Sequence, residues 1–242
     1  MSIILAIDCG TTSTRVLAFD QNQTIVHTEQ RDLPLEHPQP DWVEQCPSTI
    51  WQLTKACLDA CIQHIGPNLI HAIGITNQRE TCLLWDRSTG TPIGPAISWQ
   101  CRRTTKQCDT LSMHADTIKA STGLPLDPYF SATKWQWLLE HHKDTVAPHL
   151  QNNTLALGTI DTWLLWNLTQ GNTYATDVTN ASRTMLFNIQ SLTFDPTLCD
   201  LFNIPIHILP KGLPSSANFG TYTFNNTAIP IHAVIGDQQS AL

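Results

Sequence analysis

The chain has no CxxC pair, no cluster of basic residues and no long apolar run, and each absence removes a class of function. Its eight cysteines lack the paired spacing of a zinc site. Cys57 and Cys61 stand four apart on a helix-like segment, and Cys82 lies in a strand-like one. Reduced, mostly buried thiols are expected, because free cysteine behaves as a small hydrophobe and cytosolic disulfides are rare. Lys and Arg number 13 against 20 Asp and Glu, giving a net charge of -7, and the cations are scattered. Binding to nucleic acid through backbone charge is therefore not expected. No stretch approaches the ~18–20 apolar residues of a membrane helix. The opening run Ile3 to Ile7 is short, has no basic flank and meets Asp8 at once, unlike a signal peptide. The expected location is the cytoplasm, so the Asn-X-Ser/Thr triplets at Asn22, Asn152, Asn167, Asn180 and Asn225 read as chance matches. Neither GxxxxGK[ST] nor GxGxxG occurs, so any nucleotide must be held by another kind of loop.

What is present is a succession of short β-forming runs with helices between them. Residues 3–8, 15–20 and 24–29 read as strands joined by Gly10-Thr11-Thr12-Ser13 and Gln21-Asn22-Gln23. Turns this tight make the three antiparallel. Pro47-Ser48 opens a helix whose Ile50, Leu53, Cys57, Cys61 and Ile65 recur at helical spacing until Gly66-Pro67 stops it. Ile70 to Thr76 and Thr81 to Trp85 read as strands. Ser131 to His142 reads as a helix with Trp135, Leu138 and Leu139 inward. Leu155 to Leu157 reads as a strand, and Asp161 to Leu168 as a helix closed by Gly171. Asp195-Pro196 opens a further helix, and Ile229 to Ile235 is the last strand. The pattern predicts an α/β fold with a mixed sheet flanked by helices. Residues 30–47 and 86–130 read as insertions.

Four places offer chemistry. Asp8-Cys9-Gly10-Thr11-Thr12-Ser13-Thr14-Arg15 forms a tight turn between strands. Such a turn aims successive N–H groups into one concavity, and its hydroxyls and Arg15 add donors for an anion. Asp8 could hold a hydrated Mg²⁺ beside it. An ordinary polar hairpin is the alternative. Arg79-Glu80 would point to opposite faces of a regular strand, so the two meet one ligand only if the chain bends there. Together they suit adjacent hydroxyls of a polyol; a solvated ion pair is the plain alternative. Trp99 and Tyr129 could wall a small carbon chain or simply pack in the core. The neighbouring Arg102-Arg103 reads as structural, and His141-His142 as surface. Asp237 ends an apolar run, which puts a carboxylate at a strand tip as a candidate base, or as the cap of the next helix.

Taken together these segments resemble the glycerol kinases of the FGGY carbohydrate kinase family. The resemblance is carried by Asp8 to Arg15, by Gly74-Ile75-Thr76-Asn77-Gln78-Arg79-Glu80-Thr81, by Trp99-Gln100-Cys101-Arg102-Arg103 and by Asp127-Pro128-Tyr129-Phe130-Ser131. It continues in Asp161-Thr162-Trp163-Leu164, Thr179 to Phe187 and Gly236-Asp237-Gln238-Gln239. It implies an actin/hexokinase/Hsp70-like (ribonuclease H-like) fold with a mixed five-stranded sheet. Arg79, Glu80, Trp99, Tyr129, Asp237 and Gln238 become the expected glycerol set, and Thr11, Thr12, Ser13 and Arg15 the phosphate set for ATP. Asp8 and Asp237 stand near Mg²⁺, with Asp237 as the base. Residues 1–242 would be the N-terminal, glycerol-binding domain of a homo-oligomeric enzyme. The nucleotide-binding second domain would be missing and the isolated piece inactive. A non-catalytic glycerol-binding module is the alternative. Where the family commonly has Gln after the first Asp, this chain has Cys9. Lying in the expected nest, Cys9 should be the thiol whose modification most affects phosphate binding.

Overall fold

The computed structural model describes residues 2–242. Eight strands carry the architecture: β1 (Ile3–Cys9), β2 (Ser13–Phe19), β3 (Ile25–Asp32), β4 (Ile70–Asn77), β5 (Cys82–Asp86), β6 (Leu155–Thr159), β7 (Thr221–Phe224) and β8 (Thr227–Gly236). The main sheet runs β7-β8-β4-β1-β2-β3. Five of the seven runs read as strands lie in it, matching the five-stranded sheet that the resemblance implied. The count is corrected to six, because β7 pairs antiparallel on the outside of β8. Its residues alternate exposed and buried, the pattern of a covered edge rather than of a core strand.

β1, β2 and β3 are antiparallel neighbours, as tight turns dictate. β4 lies parallel to β1 and β8 parallel to β4. The register places Cys9 beside Asn77 and Asn77 beside Gly236, so three parallel strands end level. Whatever follows each strand is thereby delivered to one edge, where ligands bind in open α/β sheets.

Strand periodicity sorts the side chains. Ile3, Leu5, Ile7 and Cys9 are all buried on one face of β1. They share a core with Ile50, Cys57, Leu58, Cys61 and Ile62 of helix α1 (Pro47–Ile65). Pro47 sits in the first turn of α1, where its missing N–H costs nothing, and Gly66 ends it at φ 93°. Burying side chains of this size contributes about 1.5–3 kcal/mol each.

A second sheet packs beside the first. β5 pairs antiparallel with β6, and with the short strands Thr91–Pro92 and Ala96–Ile97; the latter pairs with Glu44–Gln45. Both β5 and β6 are wholly buried. Their Cys82, Leu84, Leu155 and Leu157 belong to a second core with Trp135 and Leu138 of helix α2 (Ser131–His141), while Leu83, Trp85 and Ala156 face the first. The segments expected as insertions thus complete this layer. Helix α3 (Ile160–Leu168) follows β6 and buries Trp163, Leu164 and Leu165 in the first core. All eight cysteines are free thiols, seven of them buried. Among the described residues no helix is long and apolar enough to cross a membrane.

Candidate functional site

At the level strand tips the chain makes one unusual turn. Thr81 N donates to Arg79 O at 2.7 Å, closing a three-residue turn around Glu80, whose φ is 62°. This is the γ-turn form with positive φ, rare and strained in a non-glycine residue. Such a conformation costs of order 1–3 kcal/mol and persists where surroundings over-determine it. It supplies the bend that the Arg79-Glu80 pair requires, turning both side chains to one cavity.

That cavity, of about 120 Å³, is lined by Thr11, Arg79, Glu80, Trp99, Tyr129, Asp237 and Gln238. The six residues expected to bind substrate all meet here, with one hydroxyl residue of the hairpin added. Arg79 is 4% exposed and Glu80 2%. Arg79 Nε donates to Asp237 Oδ1 at 3.1 Å and its Nη1 to Gln239 Oε1 at 3.3 Å. Its stem lies across Gly236, where an added Cβ would come within 2.4 Å of Arg79 Cδ. Asp237, with its side chain 47% exposed, uses Oδ1 for Arg79 and for Gln238 N (2.8 Å), which leaves Oδ2 free.

Tyr129 is fixed at both backbone atoms: its N–H donates to Asp127 Oδ1 (2.8 Å), and its carbonyl accepts from Lys134 Nζ (2.7 Å). Its ring stands 5.5 Å from that of Trp99, and Trp99 Nε1 donates to Thr11 Oγ1 at 2.9 Å. That bond ties the cavity wall to the hairpin. Arg102 pairs with Asp127 at 2.8 Å, and Arg103 is buried between Trp42 and Trp137 with Glu44 at 2.7 Å. Neither lines the cavity.

The hairpin has its carbonyls turned inward. Cys9 O accepts from Gln78 N (2.8 Å), Gly10 O from Gln78 Nε2 (3.0 Å), Thr11 O from Gln45 Nε2 (2.9 Å) and Thr12 O from Leu33 N (2.8 Å). Gln78 Nε2 also reaches Gln45 Oε1 at 2.8 Å, so the two amides brace each other. Among the described residues, the N–H groups of Thr11 and Thr12 donate to no protein acceptor. An anion placed there would meet an amide pair already oriented for it. Arg15 is otherwise engaged: Nε and Nη2 both lie 2.6 Å from Asp8 Oδ2, a consequence of Asp8 facing Arg15 across the β1–β2 pair. No group of three or more His, Cys, Asp or Glu capable of holding a metal exists among the described residues. A Mg²⁺ held by one or two carboxylates and completed by phosphate and water fits Asp8 and Asp237, whose Oδ2 is open.

Two expectations are corrected. Cys9 does not face the nest: its side chain is fully buried, within 4.0 Å of Thr54 Oγ1, and burial pushes the thiol up to about 12. A thiol this hard to ionise is inert. His142 is half-buried rather than on the surface, with Nε2 unpartnered, and it lines a different cavity near Asp86 and His149.

Two residues escaped sequence reading. Arg183 Nε donates to Glu80 Oε1 at 2.6 Å across 103 positions of sequence, and its guanidinium lies over Phe130 (4.9 Å) and Tyr129 (5.7 Å). Lys134 is fully buried on α2, and burial lowers its amine to about 8. Lys134 has no local signal, and Arg183 lies in the Thr179 to Phe187 stretch that carries the resemblance, where nothing local marks its role. Thr179 likewise matters by position: Asp177 caps its short helix, and Thr179 Oγ1 accepts from Gly236 N at 2.8 Å, which anchors the tip that carries Asp237.

A mixed sheet that gathers guanidinium, carboxylate and aromatic groups beside an open amide loop is the working edge of an α/β domain suited to small hydroxylated molecules. The sequence profile described as "FGGY family of carbohydrate kinases, N-terminal domain" matches residues 3–242, and the chain belongs to that family. It is 45% identical over 245 residues to glycerol kinase of Aquifex aeolicus, covering 100% of this chain and 49% of that protein. Against glycerol kinase of Pseudothermotoga lettingae the identity is 47% over 246 residues, covering 99% and 49%. A crystal structure of Plasmodium falciparum glycerol kinase with ADP superposes with a TM-score of 0.94 at 36% identity, covering 100% of this chain and 49% of that one. Xylulose kinase of Lactobacillus acidophilus shares the fold, with a TM-score of 0.85 at 21% identity over 98% of this chain and 48% of its own. The fold is the actin/hexokinase-like one. The chain spans about half the length of the curated relatives it matches.

Proposed function

We propose that this chain is the glycerol-binding half of an ATP-dependent glycerol kinase, which converts glycerol to sn-glycerol 3-phosphate. The observation that carries the reading is the convergence of Arg79, Glu80, Trp99, Tyr129, Asp237 and Gln238 on one cavity. Its polar groups are an alternating set of donors and acceptors, and its volume suits three carbons. The aromatic pair covers the carbon chain, while Arg79, Glu80 and Asp237 take the hydroxyls.

Within that reading, Asp237 orients the attacking hydroxyl. Arg79 fixes Oδ1, and Oδ2, which has no protein partner among the described residues, serves as acceptor for the hydroxyl proton. The amides of Thr11 and Thr12, with Thr12, Ser13 and Arg15, form the phosphate wall. Arg15 is available there once Asp8 turns to a cation. When bound, ATP supplies the phosphoryl group and Mg²⁺ neutralises its charge. The nucleoside side of the cleft falls to the portion of the relatives that this chain does not span. Eight free thiols support a reducing compartment, the cytoplasm.

The test is calorimetry of this chain with glycerol and with a five-carbon ketose. Six heavy atoms limit glycerol to about -9 kcal/mol, and a site open to water falls well short of that ceiling. Saturable glycerol binding in the millimolar range, with no heat from the ketose, is the expected result. Preference for the ketose would overturn the substrate assignment.

A further inference from the structure

We propose that Arg183 is a positioning residue of the substrate cavity: it clamps one oxygen of the Glu80 carboxylate and leaves the other to accept a hydrogen bond from a terminal hydroxyl of a small polyol. The proposal rests on the glycerol reading of the cavity and adds a residue to it.

The geometry is specific. Glu80 Oε1 accepts from Arg183 Nε at 2.6 Å, a short charge-assisted bond, whereas Oε2 has no protein partner among the described residues. Glu80 lines the cavity, but Arg183 does not, so the clamp acts from behind. Arg183 is itself held. Its guanidinium rests on the rings of Phe130 and Tyr129, and its side chain keeps only 25% exposure. The Glu80 backbone is equally fixed, because Ser131 Oγ donates to its carbonyl at 3.0 Å and the γ-turn sets its φ. A carboxylate pinned through one oxygen on a rigid backbone presents the other in one direction, the pre-organisation that hydroxyl recognition needs.

The other charges around Glu80 are committed elsewhere. Arg79 serves Asp237 and Gln239, and Lys134 serves the Tyr129 carbonyl. The Tyr129 phenol is neutral, and burial with the nearby Glu80 carboxylate keeps it so. Arg183 is thus the cation in direct contact. Burial raises the Glu80 acid above the ordinary carboxylate range, and Arg183 is the foremost influence opposing that rise, followed by Arg79 and Lys134. Without Arg183 the acid rises further. Glu80 then takes up a proton at higher pH, loses its anionic acceptor, and is free to rotate toward Arg79.

The experiment follows the Glu80 carboxyl by carbon-detected NMR in this chain, with the signal assigned by its loss in Glu80→Gln. Glycerol affinity is measured in parallel at pH 5.5, 7.0 and 8.5. In Arg183→Leu the Glu80 titration should move up by about one pH unit or more, the scale set by an adjacent guanidinium. Glycerol affinity should fall at every pH, because Oε2 is no longer aimed at the ligand, and fall furthest, by about tenfold or more, at pH 5.5. Arg183→Lys should restore most of both. Arg183→Gln, which keeps a donor without the cation, carries the same expectation as the leucine variant should that one unfold. An unmoved Glu80 titration in a folded variant, or glycerol affinity unchanged at all three pH values, overturns the clamp while leaving the glycerol reading in place. Failure of the wild-type chain to bind glycerol at any pH overturns the glycerol reading and the substrate role of Arg183 together.

Discussion

Glu80 and Asp237 are carboxylates of the same cavity, each with one oxygen held by an arginine and the other free, yet their surroundings are opposite. Glu80 is 2% exposed, sits in a strained turn, and is braced through Arg183 and Ser131. Asp237 stands at a strand tip with its side chain 47% exposed, and its backbone is held by the pairing of Gly236 with Asn77, by Gly236 N donating to Thr179 and by Ser240 Oγ donating to its carbonyl. One wall of the site is built in advance and the other is open. Recognition of an alcohol needs fixed partners, whereas a group that must accept a proton beside an arriving phosphate gains from access. On the proposed reading, binding falls to the Glu80 side and chemistry to the Asp237 side.

Four changes break or sharpen that division. The largest effect is expected from Asp237→Asn, assayed in an enzyme completed to the length of the relatives. Turnover should fall about 10²–10⁴-fold, while glycerol affinity changes little, because the amide still hydrogen-bonds but takes no proton. A loss below tenfold with chemistry rate-limiting would reduce Asp237 to a positioning role. Next, Arg79→Ala joins the two walls in one lesion. The variant removes a buried guanidinium from between Glu80 and the half-exposed Asp237, so glycerol affinity should drop about 100-fold or more by calorimetry. Arg183 still faces Glu80 in that variant, so the fold survives, and circular dichroism should show it.

A third change loads the foundation of the open wall. Asp161 is fully buried, and burial together with the neighbouring Asp177 carboxylate raises its acid from its ordinary value to about 6. An acid raised on folding stabilises the folded state only where it is protonated. Stability from this group is therefore full below about pH 4 and is lost as pH rises through 6. At neutral pH its charge costs about 3 kcal/mol. Asp161→Asn, which can keep a bond to Thr159 or Thr176, should raise the melting temperature at pH 7 and flatten the pH dependence between 4 and 6. An unchanged slope in that window would remove Asp161 as its source. The smallest backbone change is Gly236→Ala. Its φ of -63° suits any residue, but the new methyl meets the buried stem of Arg79. Overpacking of this kind costs about 1–3 kcal/mol, and here it should appear as a loss of about tenfold in glycerol affinity with little loss of melting temperature.

Much of this was readable beforehand, and what was missed has definite causes. Tight turns and period-two burial made β1, β2 and β3 legible. The need for a bend at Arg79-Glu80 followed from strand geometry alone, and Glu80 at φ 62° is that bend. Cys9 was misplaced although the signal existed: it continues the Ile3, Leu5, Ile7 alternation and so belongs to the buried face. Its place beside a polar turn concealed that. Arg15 and Asp8 face each other by register, which the hairpin implied once its first pair was fixed. Arg183 had no such signal. It follows a four-residue helix in irregular chain and reaches a partner 103 positions away, which only the tertiary fold decides. Of the second sheet, β5 and β6 were legible, but its remaining strands of two residues were not, since runs that short carry no periodicity.

The most direct test of the division is a glycerol titration of this chain followed through its backbone amide NMR signals. Thr81 and Tyr129, on the fixed wall, should shift little in position but gain protection from exchange. Gly236 to Gln239 should shift most, as the open wall settles onto the ligand. Shifts confined to the separate cavity by Asp86 and His149, or none at Gly236 to Gln239 at saturation, would contradict the account.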